Sequence, residues 1–450
     1  MFQNNFTRRG ALQTLTTGLG GIAMTALAEE KALAAKSGPL AAKQPHFAPR
    51  AKNVIYLSMR GAPSHVDTFD YKPQLTRDSG KPGKYGGRDL MGSPFEFKQH
   101  GESGLWISDL FPHVAQHADD LCLINSMHGD SSNHQPAVTA MHTGSVNFIR
   151  PSMGAWALYG LGTENTNVPG YVVLGGGQKG DYSSAFLPAY YQATMIGGDN
   201  PAAGPPRVPN IRNTKMDAVA QRKQLDFVQW LNRNQLKRDV HSPETEGMIQ
   251  STELAYHMQT SMPELLDYGS ESPNTLESYG IGGESEAFGK HCLLARRMVE
   301  RGVRFVEVVH GNWDHHDKLK ENLTQTCGET DGPIAALLQD LKDRDLLKDT
   351  LILWGGEFGR TATGEGDGRG HNSRGFTTWM AGGGVKGGLR YGATDEHGNE
   401  AVENKMHIHD WHATTLHLLG LNHKNLTFRY AGRDFRLTDV HGNVAEEILA

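Results

Sequence analysis

Three short segments in the last third of this 450-residue chain place acids and histidines directly after apolar runs: His310-Gly-Asn-Trp-Asp314-His315-His316, Gly356-Glu357-Phe-Gly-Arg360 and Arg369-Gly-His371-Asn372. Carboxylates and imidazoles are the side chains that ligate divalent Zn, Mn or Fe, with Ca favoured where carboxylates dominate. A chain with 22 histidines scatters some beside acids by chance, and a lone histidine is usually structural. Here Asp314 and His316 alternate after one apolar run and Glu357 follows another, which points to a single shared polar site. Asp67, Asp314 and Glu357 can converge only if a cation or a shifted protonation relieves their repulsion. The expectation is a divalent metal centre of one or two ions.

The elements that must position these groups are legible as short strands. Val303–Val309 (VRFVEVV) and Thr350–Trp354 (TLILW) read as buried strands, and ligands in an open α/β sheet gather beyond the carboxyl ends of its strands. Asn53–Met59 (NVIYLSM) reads as the first strand, leading into Arg60, Ser64, His65 and Asp67. LCLINS, within 119–126, is a further strand candidate, followed by a polar loop and a helical turn over 137–144. Helical spacing recurs at Met216–Arg238, Glu244–Met258, Glu286–Arg301 and Pro333–Leu347, with Arg296 and Arg297 on a solvated or salt-bridged face. Phe376–Ala381 reads as another strand. The glycine run behind it, Gly382–Gly388, lacks the order of a phosphate loop and reads as a tight turn. A last helix at 413–419 has Asp410 as its cap, with His407, His409 and His412 as polar neighbours. This alternation argues for a mostly parallel sheet with helices on both faces. Residues 170–212 are rich in Gly, Pro, Ala and Tyr and open an insertion running to about 280, a lid or substrate wall.

Net charge of −6 without a Lys/Arg cluster excludes a general nucleic-acid binder. At the start, Thr7-Arg8-Arg9-Gly10-Ala11-Leu12 leads into a Gly/Ala/Leu/Thr run ending Ala26-Leu27-Ala28, which resembles a twin-arginine export signal. Ala11 and Gln13 depart from its commonest form. Residues 1–36 are therefore expected to be signal and linker, and 50–450 the folded domain. The run is too rich in Gly and Thr for a stable transmembrane segment, so the mature chain is expected in the periplasm or outside the cell. Cys122, Cys292 and Cys327 form no CxxC pair, so no disulfide framework is expected.

The ordered matches RGAPSHVDTFDYKP, SGLWISDLFPH, PSMGAWALYGLG, LLARRMVERGVRFVEVVH, LILWGGEFGRT, HNSRGFTTWMAGGGVKGG and AGRDFRLTDV resemble an exported, sulfatase-like family of unknown function. That family is more distantly similar to the alkaline phosphatase and sulfatase superfamily. The resemblance implies an alkaline-phosphatase-like α/β fold and a metal-dependent hydrolase of sulfate or phosphate esters, with a small-molecule or polysaccharide ester as substrate. By order, Asp314 and His316 take the place of the first later ligand pair, Glu357 that of the next acid, and His371 that of the final histidine.

Three departures stand out. Met59-Arg60-Gly61 replaces the metal-binding Asp of the first strand, leaving Ser64, His65 or Asp67 as ligand. Phe358 replaces a histidine. His134 stands where the Cys or Ser nucleophile belongs, with His128, Ser131 and Ser132 in reserve. His134 can act as nucleophile or base, or as a ligand while a metal activates water. Arg360 and Arg60 are expected to fork onto the ester oxygens. The missing Cys or Ser also admits a catalytically degenerate member that binds a ligand or carbohydrate in the envelope.

Overall fold

The computed structural model describes residues 39–85, 87–197, 208, 211, 215–238 and 243–450. The expected export signal lies outside the described residues, as do parts of the insertion. The strands that build the site region are β1 (Asn53–Met59), β2 (Leu121–His128), β3 (Tyr171–Leu174), β4 (Thr194–Ile196), β5 (Phe305–His310), β6 (Thr350–Gly355), β7 (Gly359–Glu365), β8 (Gly368–Asn372), β9 (Phe376–Gly382), β10 (Leu389–Tyr391) and β11 (Met406–His407). The helices are α1 (His134–Thr143), α2 (Met153–Leu161), α3 (Ala218–Arg238), α4 (Pro243–Leu266), α5 (Glu286–Glu300), α6 (Leu319–Asp343) and α7 (Ile408–Leu418).

Nine strands form one sheet in the order β10-β2-β9-β6-β1-β5-β3-β4, with β11 also pairing with β2. All its pairings are parallel except those of β9, which runs antiparallel between β2 and β6. β1 sits at the centre, and its side chains divide between two cores. Ile55, Leu57 and Met59 join one with α5 and α6, while Val54 and Tyr56 join the other with α1, α2 and α7. A strand covered on both faces must be apolar at successive positions, which is why NVIYLSM shows no alternation. The fold is thus an α/β sandwich around a mostly parallel sheet, as the sequence implied.

The structure corrects the bounds of one helix and the cap of another, shows the Arg296–Arg297 face to be salt-bridged, and adds a hairpin that the sequence did not announce. The helix read at 333–347 begins at Leu319 and runs through Pro333. The missing amide costs one helical hydrogen bond, offset by burial of Leu323, Cys327, Ile334 and Leu337. Arg296 and Arg297 are buried, at 1% and 5% exposure, and bind Glu271 together. His407, not Asp410, caps α7; its ring accepts from the His409 amide while Asp410 accepts the His407 amide, closing a capping box. Residues 359–372, which carry no strand period, form the β7–β8 hairpin.

Burial also sets a pH dependence. His412 is fully buried, its Nε2 lies 2.7 Å from the Met141 carbonyl, and burial depresses its pKa from 6.5 to about 3. Below pH 6.5 the unfolded chain takes up a proton that the folded chain refuses. Stability present at neutral pH should therefore decline as pH falls from 6.5 toward about 3. Denaturant unfolding at stepped pH values should show a shallower decline for His412→Asn; an identical slope would remove His412 as a cause.

Candidate metal centre

The loop after β5, the β7–β8 hairpin and the start of α1 meet beyond the carboxyl ends of β1, β5 and β6. Asp314 is the pivot. Its Oδ1 lies 3.0 Å from His316 Nε2 and 3.2 Å from His371 Nε2, and its Oδ2 lies 3.1 Å from His134 Nε2. The Nε2 atoms of His134 and His371 are 3.1 Å apart, and those of His316 and His371 are 2.9 Å apart. His134, Asp314 and His371 each offer a ligand atom within 4.8 Å of the others, the one such group of three among the described residues.

The opposite ring nitrogens fix what these Nε2 atoms are. His134 Nδ1 lies 2.6 Å from Glu357 Oε1, His371 Nδ1 2.8 Å from the Ser132 carbonyl, and His316 Nδ1 3.2 Å from Glu365 Oε2. A carbonyl or carboxylate only accepts, so each Nδ1 carries a proton, and in the neutral form of each ring Nε2 presents a lone pair. Three lone pairs and a carboxylate then face one another with no hydrogen between them. That arrangement repels itself unless a ring takes up a second proton or a cation sits among its members.

The donor set fits such an ion. Imidazole nitrogens with one carboxylate suit Zn, Fe or Mn; Ca, which takes six or more oxygens, does not match. With Zn–N bonds of about 2.0 Å, a tetrahedral edge is about 3.3 Å, close to the nitrogen spacings seen. Oxygen acceptors behind each ring are the usual means of fixing a ligand's tautomer and orientation.

The surrounding charges act unequally on these groups. Burial works to raise the Asp314 pKa, but the Arg360 guanidinium and the adjacent imidazoles outweigh it and hold the carboxyl well below the usual range. The Glu357 hydrogen bond raises the His134 pKa, whereas burial lowers that of His371.

The backbone explains Met59-Arg60-Gly61. Gly61 has φ +106°, and a Cβ there would lie 2.7 Å from the Asp314 amide nitrogen, so only glycine lets the first loop pass this close to the ligand loop. Its own amide donates to Glu357 Oε1 at 3.1 Å. The first strand thus supplies a backbone contact to the acid behind His134 instead of a ligand.

Other sequence-derived candidates stand elsewhere. His65 is buried, with Nε2 2.8 Å from the Gly398 carbonyl and Nδ1 accepting the Arg360 amide at 3.3 Å. Asp67 is fully buried in a two-point ion pair with Arg369, at 2.6 and 3.1 Å. Both carry structure, and neither reaches the cluster. Glu357, 3% exposed, stands behind His134.

Arg360 is spent on the protein itself. It donates to Asp314 Oδ1 at 2.7 Å and to the carbonyls of Gly61, Ala62, Trp313 and Arg369. A guanidinium so occupied orients Asp314 and has no fork left for an ester. Arg60 faces Asp181 at 3.4 Å and the Tyr182 hydroxyl at 2.8 Å. Glu365 and the Ser132 carbonyl were missed. Glu365 lies in a hairpin with no strand signal, and a backbone carbonyl leaves no mark in a sequence.

If Glu357 orients His134, Glu357→Gln should weaken metal affinity by about 10- to 100-fold without unfolding the chain. Competition with a chromophoric chelator measures this; wild-type affinity in the variant would remove Glu357 from the centre.

Among solved structures, the lipoteichoic acid synthase LtaP from Listeria monocytogenes is 10% identical with a TM-score of 0.37, covering 88% of this chain and 78% of that one. The PsFucS1 sulfatase from Pseudoalteromonas sp. is 14% identical with a TM-score of 0.35, covering 83% and 68%. The alkaline phosphatase of the Antarctic bacterium TAB5 is 13% identical with a TM-score of 0.35, covering 77% and 94%. No curated protein sequence matches. A family model described as "Protein of unknown function (DUF1501)" matches residues 51–449, nearly the whole folded chain, and the chain belongs to that family.

Proposed function

We propose that this chain is an exported metal-dependent hydrolase of sulfate or phosphate esters, active in the periplasm or outside the cell. The observation that carries the reading is the convergence of three imidazole Nε2 atoms on the Asp314 carboxylate. When bound there, a divalent ion supplies Lewis acidity, polarising an ester oxygen and acidifying water.

The chain's own residues set the rest. His134, Asp314 and His371, with His316 at the edge, hold the ion; Glu357, Ser132 and Glu365 fix the rings. His134 also begins α1, where the amides of His134 and Gln135 have no acceptor among the described residues and Pro136 has no N–H. Helix N-terminal amides beside a cation favour an anionic ester group. That compensates for Arg360 and Arg60, which are engaged elsewhere. Asp314, held ionised by Arg360, keeps the centre from gathering excess positive charge.

The absence of Ser or Cys at the start of α1, where His134 stands, favours a second reading: a ligand- or carbohydrate-binding envelope protein of the same fold. Metal-reconstituted protein assayed on aryl sulfate and aryl phosphate esters decides between them. Turnover that disappears in His371→Ala supports the hydrolase; bound metal without turnover on either ester class supports the binder.

A further inference from the structure

Of the twelve large hydrophobic side chains exposed among the described residues, seven lie on or beside one helical hairpin, α3 and α4. α3 is reversed relative to an ordinary surface helix. Leu225 and Gln229 turn inward against α4, where Gln229 donates to the Ile249 carbonyl at 3.0 Å and Arg222 pairs with Glu253 at 2.8 Å. Val219, Phe227, Trp230 and Leu231 face solvent at 66%, 59%, 57% and 46% exposure. Phe227 and Trp230 stack with ring centroids 6.1 Å apart. Soluble proteins rarely leave several aromatic and aliphatic side chains uncovered on one helix unless they meet something.

The charges on that face identify the occupant. Lys223, Lys237 and Arg238 flank the aromatic pair, are exposed, and have no ion pair among the described residues. The nearby acid, Asp226, is taken by Arg222 at 2.6 Å. A second copy of this chain meeting the face by two-fold symmetry would bring cations against cations, whether the helices run parallel or antiparallel, and like charges oppose that pairing. Aromatic and aliphatic side chains bordered by unpaired lysines and arginines instead match an anionic bilayer surface: the rings enter the headgroup boundary while the cations snorkel to phosphate. No helix among the described residues is long and apolar enough to cross a membrane, so contact of this kind is peripheral.

We propose that the outward face of α3 docks the protein on anionic phospholipid membranes, independently of any reaction at the metal centre. The purified protein should co-float with vesicles of phosphatidylcholine mixed with phosphatidylglycerol, bind those of phosphatidylcholine alone more weakly, and dissociate as salt is raised. Phe227→Ser with Trp230→Ser should lower vesicle partitioning by at least about 100-fold, through loss of two inserted side chains. Lys223→Glu with Lys237→Glu should remove the preference for anionic lipid. Both double variants change exposed side chains, so unchanged circular dichroism and thermal midpoint would confirm intact folds. Wild-type protein that ignores both vesicle types, or binding untouched by either double variant, overturns the proposal. So does a wild-type dimer in sedimentation that the Phe227/Trp230 variant converts to monomer, which would assign the face to self-association.

Discussion

With the chain acting as the hydrolase proposed above, Asp314→Asn should abolish its turnover, with kcat/KM falling on the order of 1000-fold or more, because the Lewis acidity at stake is worth several kcal/mol. Asp314 is the residue that three imidazoles share, and its Oδ1 is 2.7 Å from the Arg360 guanidinium. An amide keeps the shape but removes the negative charge and one acceptor, so bound metal should fall to background. Arg360 would keep its carbonyl partners and lose its anion, costing about 1–3 kcal/mol of stability. Turnover and metal content near wild type in a folded Asp314→Asn protein would show that the reaction is housed elsewhere.

Asp67→Ala should destabilise the fold by about 3–5 kcal/mol, the cost of leaving a buried charge without its partner. Asp67 and Arg369 are both 0% exposed and meet through two hydrogen bonds. The Ser64 hydroxyl, 2.5 Å from Asp67 Oδ2, loses its acceptor as well. Arg369 links the first loop to the hairpin that carries His371, so the loss should appear in denaturant unfolding as a lower midpoint. Metal content per folded molecule should stay at the wild-type level. A variant of unchanged stability that loses its metal would return Asp67 to the ligand set.

The contrast between these two acids shows where the sequence was legible. Both follow predicted strands, and both are carboxylates near a histidine. One stands among the histidines of the candidate centre and the other is locked in an ion pair whose arginine lies 302 positions away, and local spacing carries no record of that partner. The strands themselves were plain: β1 was read with its observed bounds, and β5 and β6 within two residues, because a strand buried on both faces is apolar at most successive positions. The hairpin at 359–372 was hidden for the opposite reason. Its buried side chains include Arg360 and Arg369, whose burial is compensated by carbonyls and acids instead of apolar neighbours. A polar core of this kind looks like surface in a pattern search.

The helical period at α3 was likewise plain, but not its orientation. Phe227 and Trp230 would be assigned to the core by composition alone, and they face solvent. His134, marked because the resemblance puts the nucleophile at its position, does stand at the start of α1 beside Asp314, whereas the arginines marked as substrate forks are committed to the protein. Which of the gathered groups ligate, orient or catalyse depends on ring nitrogens and their acceptors, which only coordinates reveal.

The most direct test is elemental analysis of purified protein, stripped by chelator and then offered Zn, Mn, Fe or Ca, with His134→Ala and His371→Ala in parallel. Stoichiometric retention of a transition ion by the unmodified chain, lost in both variants and not matched by Ca, is the expected result. A wild-type chain that retains none of these ions, or variants that hold them equally well, would contradict the claim that these imidazoles gather around a cation.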